Sequence, residues 1–249
     1  MSETLYTSGE YLKQNPTWHV GESSWKAREI RKMIARNNLN PKKICEVGCG
    51  AGEILRLLQK DMDDECTFWG YEISPQAFEL CKDRANEKLH FKLLDITKEK
   101  NVFFDLLLIM DVLEHMEDYF SFLREIKQIS QYKIIQLPMD ISVRSILRRD
   151  LTKYRNSFGH IHYFTKELAL QMLQELGYEV VDYFYTYESI EELPGPTERL
   201  EVDFLIRLRK RLGKMKRSLF KARDMVCFAI HEDFAVRILG RWRLLILIK

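Results

Sequence analysis

Three glycines alternate with other residues directly after a short apolar segment, an arrangement that suits ligand binding by the backbone. Gly48, Gly50 and Gly52 follow the segment 44–47 and precede a stretch with helical periodicity. Glycine allows a tight turn and lets backbone amides approach a ligand closely, and the helix N-terminus beyond favours an anionic group. A dinucleotide-binding loop needs its third glycine at position 53, where Glu53 would repel a pyrophosphate. The loop therefore predicts a cofactor site of another kind, although a purely structural turn can have the same sequence.

Acidic residues come at the ends of the next two predicted strands. Glu72 ends the strand predicted over 67–72, where Rossmann-like folds place a carboxylate for ribose hydroxyls. Asp95 follows the strand predicted over 90–94, where a carboxylate can accept a hydrogen bond from an adenine amino group. Alternatively, Glu72 is a surface residue and Asp95 caps the next turn. With the glycines, these acids predict that an adenosyl group binds at this edge of the sheet.

Short apolar segments alternate with helix-like segments, which is typical of βα units on a parallel sheet. The predicted strands cover 43–47, 67–72, 90–94, 104–110, 133–137, 178–187 and 242–248. The predicted helices cover 24–37, 53–59, 118–130 and 165–176, with a short one within 141–150 and a loop over 158–164. Ser74 is expected to cap another helix that has Pro75 as its first residue.

Composition excludes several classes of protein. The chain has 249 residues, 46% hydrophobic and 31% charged, with a net charge of +2, as in an ordinary soluble domain. Its five cysteines form no Cys-x-x-Cys pair, which argues against a zinc site or a disulfide framework. The N-terminal residues lack the apolar core of a secretion signal, and the apolar run 244–248 is far shorter than the roughly 20 residues of a membrane span. We expect a cytoplasmic protein.

Ordered motifs between residues 40 and 188 resemble class I S-adenosylmethionine-dependent methyltransferases. They are EVGCGAG at 46–52, GYEIS at 70–74, LLDIT at 93–97, FDLLLIMDVLEHMED at 104–118 and GHIHYFT at 159–165. The resemblance implies an α/β fold with a Rossmann-like, seven-stranded, mostly parallel sheet and helices on both faces. It also implies an N-terminal helical cap and a helical insertion before an antiparallel last strand.

A single methyltransferase domain over 1–249 is the organisation that fits this resemblance. Its predicted parts are the N-terminal cap 1–40, the cofactor-binding core 41–188, the basic helical insertion 189–234 and the final strand region 235–249.

The resemblance also implies which residues contact the methyl donor S-adenosylmethionine and its product S-adenosylhomocysteine. The expected contacts are Glu46, Gly48, Cys49, Gly50 and Gly52 at the methionine and ribose side, Glu72 at the ribose, Ile73, Asp95 and Ile96 at the adenine, and Asp111 under the sulfonium. Methyl transfer is an in-line displacement, so positioning of the nucleophile supplies much of the acceleration.

Histidines supply the candidate general bases, which an alcohol or phenol acceptor would need. His115 lies in the fourth motif, and His160 and His162 lie in the fifth. These are the catalytic candidates, although each is also suited to a structural hydrogen bond or to packing.

A divalent cation is a further hypothesis. Asp111, Glu114 and His115, with His160 or His162, are similar to the Glu-x-x-Glu-His metal motif of ubiquinone-pathway and small-RNA methyltransferases. Here Asp111 stands in place of the first glutamate, and many relatives carry the Asp-x-x-Glu-His pattern without a known metal. We therefore assign no metal to the site, although this weaker possibility is retained.

The segment 205–223 is strongly basic, with nine lysines and arginines and no acidic residue. Leucines and a methionine recur there at helical spacing. Such a helix suits an anionic membrane surface or RNA, and it equally suits a solvated helix docked by its apolar stripe. Peripheral membrane attachment is therefore an open expectation.

The acceptor is not named by these motifs. Residues 111–114 read DVLE where enzymes that methylate exocyclic or amide nitrogens carry an Asn/Asp-Pro-Pro-Tyr motif, so the resemblance favours oxygen of a small molecule, a sugar or a lipid precursor. Two other classes stay open. One is a nicotinamide-dependent oxidoreductase on a related fold. The other is a non-catalytic accessory protein that binds S-adenosylmethionine or RNA.

Overall fold

The computed structural model describes residues 20–187 and 224–249, together with Gly9, Leu12, Asn15, Thr17 and Trp18. The basic segment 205–223 and most of the predicted insertion lie outside the described residues. In the part of the chain that is described, no helix is both long and apolar enough to cross a bilayer.

One sheet forms the centre of the fold. Its strands are β1 Lys43–Val47, β2 Thr67–Glu72, β3 Leu89–Leu93, β4 Phe104–Met110, β5 Ser130–Pro138, β6 Val180–Tyr187 and β7 Trp242–Ile248. They lie in the order β3-β2-β1-β4-β5-β7-β6. Strands β1 to β5 pair in parallel, and β7 pairs antiparallel with both β5 and β6. This arrangement confirms the predicted seven-stranded, mostly parallel sheet with an antiparallel last strand.

Helices connect most of the strands. They are α1 Ser23–Arg36, α2 Glu53–Asp61, α3 Pro75–Cys81, α4 Tyr119–Glu125, α5 Val143–Leu147, α6 Asp150–Phe158, α7 Lys166–Glu175 and α8 Glu232–Leu239. A further helical stretch covers residues 224–230. The predicted cap of α3 is present, because the Ala77 N–H donates to Ser74 Oγ. The predicted boundary between insertion and final strand region, at 234/235, falls within α8.

Side chains alternate between the two faces of the central strands, as the period of two requires. In β4, Leu107 and Ile109 belong to one buried cluster, together with side chains of α4, α7 and α8. Leu106 and Leu108 belong to the opposite cluster, together with side chains of α1 and α2. Both faces of the sheet are therefore covered by helices, as predicted.

Two elements between β4 and α7 differ from the predictions. The helix predicted over 118–130 is α-helical only to Glu125. It continues as a 3-10 helix over Ile126–Gln128 and stops before Ser130, which pairs with Phe104 as the first residue of β5. The short helix expected within 141–150 is present as α5, but a second helix, α6, begins at Asp150, runs into the predicted loop and is followed by Gly159 with φ 82°. A glycine in the left-handed region is a common helix terminator, and it stops α6 here.

Candidate active site

The carboxyl ends of the parallel strands open into a cleft of about 850 Å³. This volume is within the range of small-molecule sites. Of the residues predicted to contact the donor, all except Gly52 line the cleft; those that do are Glu46, Gly48, Cys49, Gly50, Glu72, Ile73, Asp95, Ile96 and Asp111. His115 and His160 also line it, and His162 does not.

The glycine loop after β1 has a left-handed backbone at all three glycines. The φ angles of Gly48, Gly50 and Gly52 are 62°, 54° and 71°. A Cβ on Gly50 would lie 2.5 Å from Cδ1 of Trp18, and one on Gly52 would lie 2.6 Å from the Phe91 ring. Both the backbone conformation and the close packing therefore require glycine. Gly50 faces the cleft under Trp18, whereas Gly52 is the N-cap of α2 and packs towards β3.

Glu72, at the end of β2, is tied to the glycine loop. Its Oε2 accepts the Gly50 N–H at 2.8 Å, and its Oε1 accepts the N–H groups of Ile73 and Ser74. The side chain is buried, and burial raises the pKa of its carboxyl although these backbone donors partly oppose the shift. Glu72 therefore holds the loop and the start of the β2–α3 turn in one fixed arrangement.

Glu46 is a buried carboxyl at the floor of the cleft. It is 2% exposed, and its Oε2 has no hydrogen-bond partner among the described residues. Burial raises the pKa of this carboxyl well above its usual value. Buried polar atoms are normally hydrogen-bonded. An unpartnered oxygen beside the cleft therefore indicates that a bound ligand would donate a hydrogen bond to it.

The end of β3 brings Asp95 and Ile96 to the cleft, opposite Ile73 at the end of β2. Asp95 Oδ1 accepts both the backbone N–H and the hydroxyl of Thr97, so Asp95 caps the following turn, which was the alternative reading of this residue. Both of these hydrogen bonds use Oδ1, and neither involves Oδ2. Ile96 is buried, while Ile73 is 41% exposed at the rim. An apolar surface beside one carboxylate oxygen is compatible with the predicted adenine contacts.

Asp111, at the end of β4, lies between two cations. Its Oδ2 is 2.8 Å from Lys26 Nζ of α1 and 3.3 Å from Arg243 Nε of β7. Glu22 also approaches both cations, at 3.1 Å and 3.7 Å. Burial opposes ionisation of Asp111, but Arg243 and Lys26 outweigh it and hold the pKa of its carboxyl below the usual value. The carboxylate is thus already neutralised by this chain, and its predicted role under a sulfonium stays a prediction.

Two of the three candidate histidines share one corner of the cleft. The rings of His115 and His160 are 5.0 Å apart. His160 Nδ1 lies 2.6 Å from Oδ2 of Asp140, and His115 Nδ1 lies 3.2 Å from the carbonyl oxygen of Gly159. Since a carbonyl or carboxylate oxygen accepts, each Nδ1 donates here, and in a neutral ring this leaves the lone pair on Nε2. This is the tautomer that a general base needs.

His162 is directed away from this corner. Its ring packs against Tyr119, with centroids 4.8 Å apart, and its backbone N–H donates to the carbonyl oxygen of Glu114. Since it does not line the cleft, the structure does not bring it together with the other two histidines.

Glu114 joins the histidine corner and offers a possible cation site. Its carboxyl oxygens are buried and lack hydrogen-bond partners among the described residues. One potential ligand atom each from Glu114, His115 and His160 lies within 4.8 Å of the others. Mixed carboxylate and imidazole donors fit a transition-metal ion better than Mg²⁺. Asp111, which was in the predicted metal set, is instead engaged by Lys26 and Arg243.

Four residues of this site were not predicted from the sequence: Asp140, Lys26, Arg243 and Glu22. Asp140 follows β5, and its place after the carboxyl end of a parallel strand was the available indication in the sequence. Lys26 and Arg243 come from α1 and β7, far from the motifs in sequence. No local pattern distinguishes them from surface cations.

A protein-family model described as "Methyltransferase domain" matches residues 23–183. The match begins at the start of α1 and extends into β6, so it contains most of the residues that line the cleft. No curated protein gives a match to the sequence.

Solved structures with the same fold include several methyltransferases. An S-adenosylmethionine-dependent methyltransferase from Archaeoglobus fulgidus is 19% identical, with a TM-score of 0.57 over 91% of this chain and 94% of the other. A chain from the complex of the Haloferax volcanii Trm112 methyltransferase activator with a methyltransferase is 12% identical, with a TM-score of 0.58 over 97% and 94%. Magnesium protoporphyrin IX methyltransferase from Synechocystis with bound S-adenosylhomocysteine is 15% identical, with a TM-score of 0.55 over 75% and 91%. At these identities the likeness establishes the fold.

Proposed function

This chain belongs to the methyltransferase-domain family, and we propose that it transfers a methyl group from S-adenosylmethionine to an oxygen of a small-molecule acceptor such as a sugar or a lipid precursor. The main support for this proposal is the hydrogen bond that the Gly50 N–H of the glycine loop donates to the Glu72 carboxylate. A protein of similar fold binds S-adenosylhomocysteine, the demethylated product of that donor.

The donor side of the cleft has polar groups that match this ligand. Glu72 would accept the ribose hydroxyls, and the unpartnered oxygen of Glu46 would accept a hydrogen bond from the donor's hydroxyl or ammonium groups. Asp95 would offer its second oxygen to the adenine amino group, beside Ile73. Residues that bind both ends of a ligand orient it, and correct positioning of the reactants supplies much of the rate acceleration in methyl transfer.

The acceptor side holds a general base. S-adenosylmethionine supplies a methyl group activated by a positively charged sulfur, and displacement by oxygen leaves a neutral thioether. His160 Nε2 would take the proton of the acceptor hydroxyl, and the imidazolium formed would be stabilised by Asp140 at Nδ1. Asp140 acts through His160 and is therefore a positioning residue. His115, 5.0 Å away ring to ring, would occupy the same corner of the acceptor site.

Calorimetric titration of the full chain with S-adenosylhomocysteine, S-adenosylmethionine and NADH tests the donor assignment. We expect heat of binding with the first two and none with NADH. Binding of NADH alone would overturn the proposal in favour of an oxidoreductase.

A turnover experiment tests the reaction itself. The full chain is incubated with S-adenosylmethionine carrying a labelled methyl group and with fractionated small-molecule extracts. We expect label in a product whose methyl ether bond is identified by mass spectrometry. Donor binding without transfer to any fraction, protein or RNA would instead favour a non-catalytic accessory protein.

The corner formed by Glu114, His115 and His160 supports a second candidate role for the same side chains. A cation bound there would lower the pKa of a coordinated hydroxyl and replace the general base. Dialysis against EDTA separates the two roles. Unchanged turnover leaves His160 as the base, whereas loss that Mn²⁺ or Zn²⁺ restores assigns the corner to a metal.

A further inference from the structure

Two arginines lie in the same cleft as the proposed catalytic corner but outside the features described so far. Arg144 is in α5, and Arg241 is in the turn between α8 and β7. Both line the cleft together with His160 and Tyr154. Arg144 is partly buried and Arg241 is exposed, so their side chains are accessible to a ligand that enters from solvent.

The fold brings the turn that carries Arg241 against the start of α5, the helix that carries Arg144. A Cβ on Gly240 would lie only 2.7 Å from Oγ of Ser142, so the turn packs directly against the residue that caps α5. Arg241 follows with φ 76°, a left-handed conformation that costs a side-chain-bearing residue about 1–2 kcal/mol. A strained non-glycine residue held in a cleft is an observation that calls for a functional explanation.

Neither arginine is neutralised within the described part of the chain. Arg148 and Arg243, which line the same cleft, reach Asp150 at 3.6 Å and Asp111 at 3.3 Å. Arg144 and Arg241, by contrast, form no ion pair within 4.0 Å among the described residues.

The nearby acids do not cancel this positive charge. Asp140 is engaged by His160 at 2.6 Å. Asp224 is buried and attracts Arg144 from beyond ion-pair distance. Burial, together with the like charges of Arg241 and Arg148, lowers the pKa of Arg144. Since like charges crowded in a half-buried site repel each other, a bound anion would be favoured there.

Aromatic side chains complete this end of the cleft. Tyr154 lies with its ring centroid 6.2 Å from those of both Phe158 and His160. Arg144 and Arg241 line the same cleft as Tyr154 and act electrostatically on its phenol. The acceptor end therefore combines apolar ring surface, the proposed base and two guanidinium groups that form no ion pair with any described residue.

We propose that the methyl acceptor carries a carboxylate or phosphate group, which Arg144 and Arg241 bind while its hydroxyl faces His160. This inference rests on the proposed function, because it assigns the acceptor class of that reaction. Arginine suits this role, since its planar donors bind carboxylate and phosphate oxygens in pairs.

The test uses the full chain saturated with S-adenosylhomocysteine and two anionic probes, inorganic phosphate and benzoate. Binding is measured by calorimetry at constant ionic strength, so that general screening does not contribute. We expect Arg144→Gln and Arg241→Gln each to weaken binding of at least one probe by about tenfold or more, the effect of losing a hydrogen bond to a charged group. Arg237→Gln is the matched control, because Arg237 is exposed on α8 and pairs with Glu167 outside the cleft.

The outcomes separate this inference from the proposed function. Absence of probe binding to the wild type, unchanged binding in both cleft variants, or equal loss in Arg237→Gln would each overturn the anionic acceptor. The heat of S-adenosylhomocysteine binding is measured while each sample is being saturated, before a probe is added, and its absence would instead overturn the donor assignment. Arg241 is an exposed turn residue, so we expect Arg241→Gln to fold normally. If Arg144→Gln lowers the folded fraction, the binding measured with Arg241→Gln still decides the test.

Discussion

The carboxylate of Glu72 accepts the backbone N–H of Gly50 at 2.8 Å, so the end of β2 fixes the conformation of the loop that follows β1. The two elements are neighbours in the sheet, with Val47 paired to Tyr71. A ligand that binds to this edge would therefore meet a preorganised loop.

Glu72→Gln should weaken S-adenosylhomocysteine binding by about 10- to 100-fold, because a neutral amide replaces the charged acceptor expected at the ribose. Calorimetry at neutral pH measures the change. Asp105→Asn is the matched control, since that carboxylate accepts the Lys42 and Lys43 N–H groups at the opposite edge of the sheet. Equal losses in both variants would show that Glu72 matters only for folding.

Gly50→Ala should reduce donor affinity more than it reduces stability, because the new Cβ would displace Trp18 from the wall of the cleft. Gly177→Ala is the comparison, as Gly177 has φ 76° and its Cβ would meet only the flexible end of Lys127. Each variant should lose about 1–2 kcal/mol of unfolding free energy from the left-handed backbone. Thermal unfolding and donor titration measure the two effects, and unaltered donor affinity in Gly50→Ala would contradict the expectation.

Asp140→Asn should lower kcat about 10- to 100-fold with little change in KM for the identified acceptor, because His160 loses the group that orients its ring. The pH profile of kcat should also shift, which a merely structural role would not produce. Asp182→Asn provides the control, since Asp182 pairs with Arg36 outside the cleft. A change confined to KM would argue against Asp140 as a positioning residue.

Lys26→Met should destabilise the fold by about 3 kcal/mol, at the lower end for a broken buried ion pair, because Arg243 still faces Asp111. Lys42→Met should have no measurable effect, since Lys42 pairs with Asp63 at the surface. Urea denaturation at pH 7 compares the two. Equal stability of both variants would show that the buried cluster contributes nothing to folding.

Lys133 should make stability rise with pH. It is buried, and burial together with the charge of Lys127 lowers the pKa of its ammonium from 10.5 to about 8. Between these values the unfolded chain binds the proton more tightly than the folded chain, so the free energy of unfolding increases as pH rises. The difference between wild type and Lys133→Met should grow by roughly 2–3 kcal/mol from pH 8 to 10.5. Denaturation curves at several pH values test this, and parallel pH dependence would refute it.

The sequence predicts the parallel sheet well because its strands are short apolar runs with clear boundaries. The observed ends of β1, β2, β4 and β7 coincide with the predicted ones. The failures lie where tertiary pairing overrides local preference, as at Ser130, which pairs with Phe104 although the local pattern favours a longer helix.

The sequence could indicate that most of the residues proposed for the donor side lie at one cleft, because they follow consecutive strands in fixed motifs. The acceptor side could not be predicted in this way, because its parts are brought together only by folding. Arg241 meets α5 through the contact of Gly240 with Ser142, about a hundred residues away along the chain. Periodicity and spacing contain no information about such a contact.

The antiparallel pairing of β7 has a consequence for the order of folding. Strand β6 precedes β7 in the chain by more than fifty residues, yet within the described structure β7 is its sheet partner. During synthesis β6 therefore leaves the ribosome before its partner, and it joins the sheet through β7, which pairs with both β5 and β6. Closure of this edge is a late event, and the same event delivers Arg243 to Asp111.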